Sequence, residues 1–190
     1  MVLTHATLLL PLITGVFATY ICRYEHQQNA WKQLGALPLR RMHVYMSKYV
    51  LVAFLIGIIQ ALVLAGLFMV GLLQGFSDPF PWDSVVTSIF WGWVACLPLI
   101  ALQLWVSTAW DSFAAPLAVN VVFTLPSILI ANSENFGPWY PWAQPFLMMV
   151  QPLQEGSDFA VSLTTLFIVI TGSFVVFLGS GSLYFSKKTM

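Results

Sequence analysis

The stretch Tyr49-Val-Leu-Val-Ala-Phe-Leu-Ile-Gly-Ile-Ile-Gln-Ala-Leu-Val-Leu-Ala-Gly-Leu-Phe-Met-Val-Gly-Leu-Leu-Gln74 runs for 26 residues without a charge. As a helix it rises about 39 Å, more than the roughly 30 Å of hydrocarbon in a bilayer. Lipid offers no partner to a broken backbone hydrogen bond, so a segment this apolar crosses a membrane as a helix.

The composition agrees with that reading. Of 190 residues, 7 are Lys or Arg and 7 are Asp or Glu, so 7% are charged, where soluble domains carry about 25%. Hydrophobic residues make up 59% and aromatics 15%, and the mean hydropathy is +0.84. A soluble fold of this length still exposes about 30% of its chain surface and could not hide so much apolar area. A net charge of zero excludes nucleic-acid binding by phosphate neutralisation, and disorder would need the opposite composition. Cys22 and Cys96 have neither a CxxC partner nor a His at ligand spacing. They read as two small buried hydrophobes.

Working outward from Tyr49–Gln74, charge-free gaps occupy 1–22, 49–77, 84–110, 112–133, 135–154 and 159–186. The gap 135–154 contains Pro138, Pro141, Pro145 and Pro152, and each interior proline costs a helix about 3 kcal/mol. We read it as part of an outer loop, 133–160, with a short re-entrant or interfacial piece. The expected fold is all-α and polytopic: one transmembrane domain with five helices at about 3–22, 49–74, 84–107, 113–132 and 161–185. The basic residues lie in two places, Arg23, Lys32, Arg40, Arg41 and Lys48 after the first span, and Lys187 and Lys188 at the end. Five spans put both groups on one side, which the positive-inside rule makes cytoplasmic. The acidic Asp78, Asp83, Glu134, Glu155 and Asp158 then lie outside.

Within the spans, Gly57, Ala61 and Ala65 recur every four residues and predict a face along which another helix approaches. Gln60, Gln103 and Asn120 are polar groups in apolar surroundings. Gln103 and Asn120 are candidates for lining a substrate path, and hydrogen bonding between helices explains them as well.

The cytoplasmic segment 23–48 is long and unusual. Over 26–36 it has the pattern of a short amphipathic helix, with Ala30, Trp31, Leu34 and Leu37 on one face and Gln28, Asn29, Lys32 and Gln33 elsewhere. Pro38 disfavours helical geometry at Leu37 and turns the chain back. Such a helix either lies on the lipid surface with its basic residues on anionic headgroups, or seats Trp31 and Leu34 in a groove of a cytoplasmic partner.

The pattern Glu25-x5-Trp31-Lys32-x-Leu34-x3-Pro38-x2-Arg41-x3-Tyr45-x2-Lys48 resembles the cytoplasmic loop of the type-2 ATP-binding-cassette (ABC) permease family. Within that family it resembles the permease subunits of bacitracin and lantibiotic self-protection exporters. The runs Leu97-Pro-Leu-Ile-Ala-Leu-Gln-Leu-Trp105 and Gly137-Pro-Trp-Tyr-Pro-Trp142 resemble that group's middle helix and the segment before its final span. The resemblance implies a multi-pass subunit of a bacterial plasma membrane, working as a homodimer or with a sister permease. It would export an antimicrobial peptide or other amphiphile, driven by a separate ATPase subunit that uses the ATP. Glu25, Trp31, Lys32, Leu34, Leu37 and Pro38 would contact that subunit, with Trp31, Leu34 and Leu37 as apolar anchors, Lys32 at the rim and Glu25 positioning the loop. Family members have six spans; this chain matches the last five. The first is therefore expected either upstream of this reading frame or absent from a shortened form.

The chain has no GxxxxGK(S/T) phosphate loop and no predicted cytoplasmic domain that would hold one, so it is expected to bind no cofactor and to be no enzyme. An intramembrane protease would need a nucleophile and base at one depth. Ser180 is near the cytoplasmic end of the last span, but His5 is predicted on the far side and His26 and His43 lie in the loop. A secondary transporter commonly carries an intramembrane charge, which these spans lack. The remaining alternative is a membrane anchor or sensor that uses the same loop to hold a cytoplasmic protein. The orientation is directly testable: green fluorescent protein fused after Met190 should fluoresce, and alkaline phosphatase fused there should be inactive.

Overall fold

The computed structural model describes residues 2–27, 41–73, 82–110, 112–153 and 162–187, without the side chains of 24–27 and 41. Helix α1 comprises Val2–Thr4, a π-helical turn His5–Leu9 and Leu10–Gln27. Pro11 has no N–H to offer the preceding turn, and that turn is the widened one, with the Leu10 N–H reaching back to the His5 carbonyl. Helix α2 is Arg41–Leu73 and α3 is Trp82–Ala109. Helices α4, Ala114–Thr124, and α5, Ser127–Ala131, follow, then α6, Gln144–Val150, which ends in a 3-10 turn, Gln151–Leu153. The last helix, α7, is Leu163–Lys187.

Among the described residues, four helices are long and apolar enough to cross a membrane: Val2–Arg23, Met42–Leu73, Trp82–Ala109 and Leu163–Lys187. The span expected at 113–132 is divided into α4 and α5 at Leu125 and Pro126. The cause is Pro126, which cannot donate to the preceding turn and whose ring crowds it. Together α4 and α5 rise about 27 Å, close to the hydrocarbon thickness. The boundaries of the first two spans also move. Helix α1 continues to Gln27 and α2 begins at Arg41, so the expected loop 23–48 is helical at both ends. Residues 41–48 hold helical geometry because part of this turn is packed inside the bundle, with Tyr45 and Lys48 both buried.

Helix α3 is the axis of the bundle. It packs against α1, α2, α6 and α7, and 56% of its apolar stretch is buried, against 22% in α2 and 28% in α7. Side chains reaching backbone carbonyls set its antiparallel register with α2. Tyr45 donates to Ala101 O at 3.3 Å, Tyr49 to Leu97 O at 3.3 Å and Gln60 Nε2 to Ile89 O at 3.4 Å, while Trp93 Nε1 donates back to Ala53 O at 2.9 Å. The small-residue face expected on α2 is used at one position. Gly57 faces the Trp93 indole, whereas Ala61 and Ala65 are exposed.

Helix α6 is short but almost wholly enclosed: Gln144, Pro145, Leu147, Met148, Met149 and Val150 are buried. Ser88 donates to Met149 O at 2.5 Å. Gly92 leaves the space that the Met149 side chain fills. A similar close approach joins α1 to α4, where a Cβ at Gly15 would fall on the Asn120 side chain.

These contacts separate the glycines. Gly15→Ala pushes on a side chain held by several hydrogen bonds and should cost about 1–3 kcal/mol. Gly172 of α7 has open space around it, so Gly172→Ala should be neutral or stabilising by up to about 1 kcal/mol. Unfolding of the two variants in detergent micelles measures the difference.

Candidate functional site

Two regions follow from the sequence reading. The first is the segment between α1 and α2. Trp31, Lys32, Leu34, Leu37 and Pro38 lie outside the described residues, as does most of the helix expected at 26–36. Glu25 is in the last turn of α1, but its side chain is outside them too. What is described is the pair of helix ends that this segment joins. The end of α1 is tied to the start of α4: the Arg23 guanidinium lies 5.0 Å from the centroid of the Phe113 ring, a cation–π contact. A shallow cleft beside it is lined by Thr19, Arg23, Ser107, Trp110 and Phe113 among others.

The start of α2 is tied to the end of α7. Tyr45 packs on Phe185 with ring centroids 5.7 Å apart, and Lys48 Nζ sits 5.0 Å from the centroid of the same ring. Lys48 is the basic residue that begins the long apolar run. Its stem is buried, and its charge meets an aromatic face inside the bundle.

The second region is the Gln103–Asn120 pair, which the fold brings together in the interior. Both residues are fully buried. Asn120 Nδ2 donates to the carbonyls of Pro11 at 3.0 Å and Leu12 at 3.3 Å. That orientation makes Oδ1 the acceptor, and it receives Gln103 Nε2 at 2.8 Å and Trp142 Nε1 at 2.9 Å. The Trp142 ring also stacks on Phe123, with centroids 5.0 Å apart and an interplanar angle of 20°. One amide therefore joins α1, α3, α4 and the turn leading into α6. Gln103 donates its amide to Asn120, and its carbonyl oxygen is buried with no hydrogen-bond partner among the described residues. The Gln144 Oε1 is in the same condition, while its Nε2 donates to Pro138 O at 3.0 Å.

Nearer the acidic end, His5 Nε2 meets Gln60 Oε1 at 2.9 Å inside the bundle. Gln60 is thus accounted for by hydrogen bonds between helices. In the turn before α6, Tyr140 donates to Phe123 O at 2.6 Å, and partial burial raises its phenol above the ordinary value. It stays a neutral donor at physiological pH. Among the described residues no three His, Cys, Asp or Glu side chains are grouped to hold a metal. Cys22 and Cys96 are buried, and among the described residues neither forms a disulfide. Around Asn120 the chemistry is hydrogen bonding by neutral amides, a hydroxyl and an indole.

Sequence reasoning missed Trp142, Gln144 and Tyr45. Trp142 entered the sequence reading only as the end of the aromatic run 137–142, and its place beside Asn120 gives it another role. Gln144 carried a signal, being the lone polar residue of Gln144–Val150.

Asn120→Leu removes the acceptor of two buried donors and should cost about 2–4 kcal/mol, whereas Trp142→Phe loses one bond, keeps the stack and should cost about 1 kcal/mol. Adding Gln103→Leu to Asn120→Leu should recover part of the loss, because the stranded amide is removed with its partner. Unfolding midpoints of the purified variants test the order.

The family model of ABC-2 family transporter proteins matches residues 1–127. The match covers α1 to α4, both members of the Gln103–Asn120 pair and the whole segment between α1 and α2. No curated protein and no solved structure matches the chain. With two thirds of its length in that match, from Met1 through the Asn120 junction to Ser127, this chain belongs to the ABC-2 transporter family.

Proposed function

We propose that this ABC-2 membrane subunit is the permease of an exporter, and that its ATPase subunit docks on the segment between Gln27 and Arg41. The observation that carries the reading is the family match over residues 1–127, which includes the amphipathic run with Trp31, Leu34 and Leu37 on one face. In this reading those three side chains enter a groove on the ATPase. Lys32 lies at the rim, Pro38 turns the chain back toward α2, and Glu25 steadies the end of α1. The docking side is cytoplasmic, and the C-terminus, with Lys187 and Lys188, lies on the same side.

The permease supplies no nucleotide chemistry. ATP binding and hydrolysis in the partner change which arrangement of the permease helices it fits best. Transport follows because the partner has different contact energies with the two arrangements. The path forms between two copies of the chain, or between this chain and a sister permease. A cargo with apolar and hydrogen-bonding groups, such as an amphiphilic antimicrobial peptide, suits the apolar faces and neutral amides of the bundle.

Purification in mild detergent from the native membrane tests the docking. A P-loop ATPase should be recovered with the chain and lost from the double variant Trp31→Ala, Leu34→Ala, while the variant chain stays folded. Retention of the ATPase by the folded double variant would rule these side chains out as anchors. Retention by the unaltered chain without nucleotide-driven transport in proteoliposomes would favour an anchor or sensor role.

A further inference from the structure

The start of α2 is the first described structure after the proposed docking segment, and one face of it is fastened to α7. Tyr45, Lys48 and Tyr49 recur at helical spacing on that face. Tyr45 and Lys48 meet Phe185, and Tyr49 packs on Phe174 at a centroid distance of 5.9 Å. Tyr45 and Phe185 are almost completely buried. The hydroxyl of Tyr45 donates to Ala101 O of α3, and its ring lies against Gly181 of α7 with nothing between. A Cβ at position 181 would stand 2.9 Å from Tyr45 Cζ, nearer still to the hydroxyl, and 3.2 Å from Trp105 Cβ. Two other glycines of α7, Gly172 and Gly179, have open space around them, so the close approach is particular to Gly181.

We propose that the Tyr45–Gly181–Phe185 junction is the joint that carries displacement of the docking segment to α7, the last membrane helix. The inference rests on the permease reading above. Its physical basis is that close-packed side chains transmit displacement instead of absorbing it. When the start of α2 shifts, Tyr45 shifts with it, and a phenol set directly against a glycine backbone leaves α7 no slack. Tyr45 and Gly181 are positioning residues in this scheme, since neither touches nucleotide or cargo.

The test uses the complex with its ATPase in nanodiscs. Cys22 and Cys96 are replaced by Ala, and Ser162, exposed just before α7, becomes Ser162→Cys. The rate of labelling by a membrane-impermeant maleimide is compared without nucleotide and with ATP plus vanadate. The rate should change with nucleotide when the junction is intact. Tyr45→Leu, which opens a gap, and Gly181→Ala, which wedges the helices apart, should each abolish the change while ATPase binding and hydrolysis persist. Combining them refills the gap with the new methyl group and should restore the response. A response that survives both single variants overturns the proposal, as does an intact junction with no response or a double variant that stays unresponsive. If Gly181→Ala does not accumulate, survival of the response in Tyr45→Leu alone is sufficient to overturn it. Failure of the unaltered chain to retain an ATPase would instead overturn the permease reading, before any labelling is done.

Discussion

Asn120 gives both amide hydrogens to the Pro11 and Leu12 carbonyls and receives Gln103 and Trp142 on its oxygen. The arrangement of α1, α3, α4 and the turn before α6 depends on those contacts. Apolar burial gives little directional preference between two helices in lipid, because lipid tails are as apolar as leucine. Position then comes from close packing and from polar groups that have no other partner. Gly15 contributes the first by leaving room on α1, and Asn120 contributes the second by filling it.

Prolines set where the helices depart from regularity, and a hydroxyl or amide stands near two of those places. Before Pro11 the helix widens into a π turn, and the carbonyl of Thr7, four residues earlier, receives Ser127 Oγ at 3.4 Å. Pro126 divides α4 from α5, and Ser127 also bonds back to Thr124 O at 2.6 Å. Breaks of this kind are tolerated inside a membrane protein when neighbouring side chains re-satisfy the freed backbone groups. They are also the places where a bundle can bend without unfolding.

The two ends of the bundle are built differently. At the basic end, cations rest on aromatic faces, Arg23 on Phe113 and Lys48 on Phe185. Each contact ties one flank of the segment between α1 and α2 to a different helix, α4 on one side and α7 on the other. At the opposite end, α6 is inserted among α3, α1 and α7, while Phe136 and Trp139 in the turn before it are exposed. The aromatic run 137–142 therefore divides its labour, with Trp139 outward and Trp142 inward on Asn120.

The sequence by itself determined that the chain is helical and membrane-spanning, because uncharged runs such as 49–74 have no other way to satisfy their backbone in lipid. It also marked Gln103 and Asn120 as unusual, since a polar side chain in an apolar run is visible without coordinates. Helix ends were less legible. Charge marked where water begins, whereas α2 begins at Arg41 because Tyr45 finds a glycine, a carbonyl and a ring to pack on. The partners of Asn120 were not legible at all. Pro11, Gln103 and Trp142 are separated from it by 109, 17 and 22 residues respectively, and no local pattern records which distant groups will meet. Only the tertiary structure decided that, because hydrogen bonds and close contacts between helices are set by register and crossing geometry, which belong to pairs of helices and to no single segment.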